Sequence, residues 1–195
     1  MEKDTFIFIG RSGCGKGTQA DLLVEYLKQK SSPESIFRLE TGQVFRELIA
    51  QKGYSNALAN DIYKKGGLMP EFLSTWVWAD YCIKNLKPDQ HMIFDGSPRR
   101  VQEALMVDSA LTFYKKGTVH VIYMNVSEKV AVARLTARKR QDDNVDDIKA
   151  RMAWFPRDVL PTIEYYKNNN RYAFHEINGE LSPDDVHKAI LSAIK

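Results

Sequence analysis

Residues 10–18 read Gly-Arg-Ser-Gly-Cys-Gly-Lys-Gly-Thr, with Lys16 directly after Gly15. Such a loop can turn successive backbone N–H groups onto one anion, because glycine admits the turns and the close approach this needs. A helix opening at the loop adds the positive end of its dipole. The chemistry is the cradling of nucleotide phosphates by Gly13, Cys14, Gly15, Lys16, Gly17 and Thr18, with Lys16 as a mobile charge for the β- and γ-phosphates. Asp95 ends the apolar run Met92-Ile93-Phe94, where an acid can order Mg²⁺ through water. Arg99 follows, and its planar two-pronged guanidinium suits phosphate oxygens better than an ammonium does. Arg134, Arg138, Arg140 and Arg151 share a window with Asp142-Asp143 and Asp146-Asp147. Taken singly, these arginines and Arg46 describe solvated helix faces.

Taken together, the segments resemble the adenylate kinase family of nucleoside monophosphate kinases. Gly15-Lys16-Gly17-Thr18-Gln19 matches the family's loop ending, with the hydroxyl one residue later than in the general phosphate-loop motif. The resemblance implies that Thr18 places Mg²⁺ or a phosphate oxygen. It places Thr41 and Gly42 by the acceptor base, and Arg46 on the acceptor phosphate. Gly67-Leu68-Met69-Pro70 is similar to the turn that walls the base, which brings in Met69. Asp95-Gly96-Ser97-Pro98-Arg99 resembles the signature whose arginine clamps the acceptor phosphate. By the same resemblance, Arg134 stacks on the donor adenine, and Arg138, Arg140 and Arg151 converge on the transferring phosphoryl. Pro161–Tyr166 and Ile177-Asn178-Gly179 extend the likeness over nearly the whole chain.

Three departures shape the expected function. Ser97 replaces an aromatic. Glu103 stands where the family reads adenine with a glutamine, with Gln102 as a substitute if the helix register differs. An ionised glutamate only accepts hydrogen bonds. It can take one from adenine's amino group, but it suits the N1–H and N2–H of guanine or the N3–H of uracil. The expected reaction is reversible transfer from MgATP to a monophosphate, AMP first. The alternatives are GMP, UMP or CMP as acceptor, or a non-catalytic nucleotide sensor. Third, only Lys139 separates Arg138 from Arg140, so the expected lid is minimal. It has no zinc, since no Cys or His lies between 134 and 151. Both arginines reach substrate only if their helix ends near Lys139.

Elements that could position these residues follow from patterning. Apolar runs at 5–9, 36–39, 91–94 and 118–124, and a mixed run at 172–177, predict five strands, with helical spacing between them. The reading is an α/β phosphate-loop fold, a three-layer sandwich around a parallel five-stranded sheet. The whole chain, 1–195, reads as one domain: a core of 1–40, 87–133 and 152–195, a helical monophosphate-binding insertion over 41–86, and a lid over 134–151. Ser182-Pro183-Asp184-Asp185 predicts a capped helix start. The tryptophans Trp76, Trp78 and Trp154 read as core or lid packing.

With 195 residues and 44% hydrophobic content the chain can bury one core, and a net charge of +3 argues against coating nucleic acid. Two cysteines exclude a disulfide framework. No segment has the pattern of a signal peptide or a membrane span. A cytoplasmic monomer that handles small nucleotides is expected.

Overall fold

The computed structural model describes residues 3–138 and 144–195. Among these, five strands form one all-parallel sheet in the order β2-β3-β1-β4-β5. They are β1 (Thr5–Gly10), β2 (Ile36–Glu40), β3 (His91–Asp95), β4 (Val119–Asn125) and β5 (Ala173–Asn178). Each predicted strand is present within a residue or two of its expected ends. The fold is the α/β sandwich the patterning predicts.

β1 is buried on both faces, and its alternation decides the layers. Ile7 and Ile9 face one core, shared with α4 (Glu71–Asn85), α5 (Val101–Phe113) and α8 (Leu160–Lys167) through Trp78, Val107 and Tyr166. Phe6 and Phe8 face the other, shared with α1 (Lys16–Lys30), α6 (Glu128–Arg138) and α9 (Pro183–Ala193) through Leu23, Leu135 and Ile190. Burying each such side chain contributes about 1.5–3 kcal/mol. The predicted cap of α9 is formed, with Ser182 Oγ accepting from Asp185 N at 3.2 Å.

Between β2 and β3 lie α2 (Thr41–Ile49), α3 (Tyr54–Lys64) and α4, with no strand among the described residues. Phe45, Ala59, Met69 and Val77 give this segment its own small core. After α6, α7 (Val145–Trp154) runs through a π-helical turn, Phe155–Val159, into α8. Trp78 and Trp154 are buried as expected, but Trp76 is not: it is 52% exposed on the outer face of α4. Helical spacing alone does not tell which face of α4 meets the sheet.

Candidate functional site

The strand order puts β1 between β3 and β4, with its α1 crossover leading away to β2. Ligands of such sheets sit at this switch, beyond the carboxyl ends of the strands. A cleft of about 520 Å³ opens there. Gly13, Gly15, Lys16, Gly17 and Thr18 line it, together with Thr41, Gly42, Arg46, Met69, Asp95, Arg99, Glu103, Arg134, Arg138 and Arg151.

β1 ends at Gly10 and α1 starts at Lys16, with Gly15 as its N-cap at φ 97°. No side chain caps this helix and no acid lies in its first turn, so its leading N–H groups face the cleft as an anion site. Gly13 has φ 84°, and a Cβ there would stand 2.6 Å from Ala131 O, so only glycine fits the bend against α6. Lys16 Nζ donates to Gly10 O at 2.8 Å and Arg11 O at 2.9 Å, which holds the ammonium over the loop. The Cys14 side chain is 1% exposed within the core, with Sγ 3.4 Å from Lys16 Nζ, while its backbone belongs to the loop.

Asp95 is 7% exposed at the end of β3. Arg38 Nη2 donates to its Oδ2 at 3.2 Å and also pairs with Asp21. Burial pushes the Asp95 carboxyl pKa up, while the Lys16 and Arg38 charges pull it down. A divalent cation would supply the missing positive charge. The donors fit Mg²⁺, which takes one or two hard oxygen ligands beside phosphate and water: the Asp95 carboxylate and the Thr18 hydroxyl both line the cleft.

Arg46 Nη2 donates to Glu40 Oε1 at 3.0 Å and Gln43 Oε1 at 2.8 Å. Arg99 Nε donates to Gly96 O at 2.9 Å, and its guanidinium stands 5.3 Å from the Trp154 ring centre. Burial lowers the Arg99 pKa, with Glu103 opposing that and Arg151 adding to it. Glu103 is 2% exposed and its Oε2 accepts from Arg99 N at 2.9 Å. Burial pushes its carboxyl pKa up, against the pull of Arg99, Arg100 and the Ser74 hydroxyl. Gln102 is exposed and does not line the cleft, because one step along α5 turns it to solvent. The register therefore gives the cleft to Glu103.

Arg134 Nη1 donates to Gly179 O at 2.8 Å, joining α6 to the residue after β5. Arg138 lies on the last described turn of α6, and Arg151 is buried on α7. Arg140, Asp142 and Asp143, with the expected helix end near Lys139, lie outside the described residues.

Two cleft residues, and one packed behind the cleft, escaped the sequence reading. Arg38 sits on the outward-alternating face of β2, a signal the strand pattern carried. Trp154, on α7, lines the cleft. Arg100 packs behind the wall, where its Nη1 donates to Met69 O at 2.8 Å. For these two, spacing gives no sign, because their partners are remote in sequence.

A family model described as adenylate kinase matches residues 8–171. The chain is 32% identical to an adenylate kinase of Prochlorococcus marinus strain MIT 9515, over 92% of this chain and 93% of that one. It is 30% identical to adenylate kinase 1 of Nostoc sp. strain PCC 7120, over 92% of each. It is 28% identical to an adenylate kinase of Thermosipho africanus, over 97% of this chain and 98% of that one.

Proposed function

The chain belongs to the adenylate kinase family, and on that premise we propose that its acceptor is AMP, so that ATP and AMP give two ADP. It is a nucleoside monophosphate kinase that uses ATP. What supports AMP is the likeness to adenylate kinases over nearly the whole chain. Glu103 is buried and lines the cleft, where its carboxylate can accept from adenine's amino group. The N1–H and N2–H of guanine or the N3–H of uracil would suit an ionised Glu103 as well.

The segment 41–86 acts as the monophosphate-binding insertion and 134–151 as the lid, on a core of 1–40, 87–133 and 152–195. Main-chain N–H groups from Gly13 to Thr18 hold the ATP phosphates, and Lys16 swings from its carbonyls onto them. Arg134 holds the donor base, while Arg46 and Arg99 fix the AMP phosphate in line with the γ-phosphoryl. Thr41, Gly42 and Met69 border its base. An AMP phosphate oxygen then bonds to the γ-phosphorus as the bond to the β-phosphate oxygen breaks, leaving ADP on each side. The acceptor oxygen is already anionic near neutral pH, so no general base is required. Arg138, Arg140 and Arg151 balance the charge that spreads over the transferring group. Asp95 and Thr18 hold Mg²⁺, which when bound neutralises phosphate charge. Closure of the two insertions over the substrates keeps water from taking the phosphoryl.

Among the described residues no helix is long and apolar enough to cross a membrane. Both cysteines are buried and unpaired, and burial pushes the Cys82 thiol up to about 12. That fits a reducing cytoplasm.

Coupled measurement of ADP formation with AMP, GMP, CMP, UMP and dTMP tests the reading. The highest kcat/KM is expected for AMP. Higher turnover of GMP or UMP would assign an ionised Glu103 to another base. Binding without product would leave a sensor.

A further inference from the structure

The turn from Gly66 to Pro70 is held at three points by residues from outside its own segment. Gly66 (φ 62°) lies so close to α7 that a Cβ would stand 2.7 Å from Asp147 O. Trp154 Nε1–H donates to Gly66 O at 3.1 Å. Arg100 Nη1 donates to Met69 O at 2.8 Å, while its Nε donates to Asp158 Oδ1 at 3.1 Å. Glu71 lies 3.8 Å from the same guanidinium. The Arg100 and Asp158 side chains are largely shielded, at 19% and 12% exposure.

We propose that Arg100 is a positioning residue for the acceptor nucleotide, which joins the Met69 carbonyl to Asp158 and so sets where the base wall stands. The proposal rests on the reading of the Met69 turn as that wall. Asp158 belongs to the π-helical turn that follows α7, and α7 carries Arg151 and Trp154. One guanidinium therefore ties the wall to the segment that brings an arginine to the phosphates. A guanidinium can do this because its donors diverge in one rigid plane. A lysine ammonium on a flexible stem can serve one of the two acceptors but does not hold both in register. A wall fixed in this way does not have to be ordered when the base arrives, so the strap acts on acceptor affinity. Arg100 touches none of the reacting atoms, so the transfer step itself should be nearly indifferent to it.

Steady-state kinetics of the full chain, with Arg100→Met and Arg100→Lys, separate these effects. For Arg100→Met we expect KM for AMP to rise about tenfold, with KM for ATP within about twofold and kcat within about threefold. Arg100→Lys should lie between it and the parent, and Asp158→Asn should raise the same KM. Unchanged acceptor KM in both arginine variants overturns the proposal. So does an equal rise in both KM values with a fall in kcat, which marks a general loss of structure. If Arg100→Met does not fold, as judged by its thermal transition, Arg100→Lys and Asp158→Asn decide by the same criterion. A parent chain that turns over a different monophosphate is measured with that one. A parent that turns over none overturns the acceptor reading and the strap together, whereas normal parent turnover with unmoved variants overturns the strap alone.

Discussion

The glycine-rich loop and the turn from Gly66 to Met69, proposed above as the acceptor-base wall, line one cleft, but they are held in different ways. Lys16 closes onto carbonyls five and six residues back along the chain. The carbonyls of Met69 and Gly66 are held by side chains 31 and 88 residues away. The loop is largely a local structure, set by a strand end, glycines and a helix start, with α6 packed against Gly13. The wall is a tertiary structure whose place depends on how α5, α7 and the turn after α7 pack. Damage to the loop should therefore abolish phosphate chemistry, whereas damage around the wall should retune which acceptor binds and how tightly.

The largest effect should come from Lys16→Met. It removes the loop's mobile charge and should lower kcat/KM about 10³-fold, while AMP affinity by calorimetry stays within about threefold. Equal loss of AMP binding would break the separation of the two sides.

Asp95, between them, comes next. Asp95→Asn should lower the Mg²⁺-dependent rate about 10²-fold. Its pKa is raised by burial, so the native state holds its proton more tightly than the unfolded chain does. The stability this contributes is complete below the unfolded value of about 3.9 and is lost as pH rises through the folded value. Glu103 adds to the same slope, since burial raises its pKa too. Thermal transitions measured from acid to neutral pH should show the slope in the parent and a reduced slope in Asp95→Asn. In activity the proton competes with the metal, so the acid limb of kcat/KM should lie above the ordinary carboxylate range. A limb that does not move in Asp95→Asn would assign it to another group.

The smallest effect sharpens the wall. Glu103→Gln adds a donor beside the acceptor, so KM for AMP at neutral pH should fall about three- to tenfold. A rise in that KM would mean that a carboxylate serves the acceptor better than a carboxamide.

The same division governs what could be read from the residues. β1, the loop and the start of α1 were legible, because short-range sterics and main-chain hydrogen bonding dictate them. Asp95 and Arg99 were legible through their place at the end of a buried strand. Gln102 and Glu103 could not be told apart without the register of α5, since adjacent helical positions point about 100° apart. Trp76 illustrates the same limit on α4, where pattern gave the helix but not its outward face.

Sequence by itself determined the sheet-and-helix order, the anion-binding loop and the set of arginines, since these rest on periodicity and on contacts between near neighbours. Only the tertiary structure decided that Glu103 lines the cleft, that Arg38 sits on Asp95, and that Arg100 and Trp154 hold the turn from Gly66 to Met69. Those contacts join residues remote in the chain. Their geometry is set by how packed layers bring helices together, which no spacing along the sequence encodes.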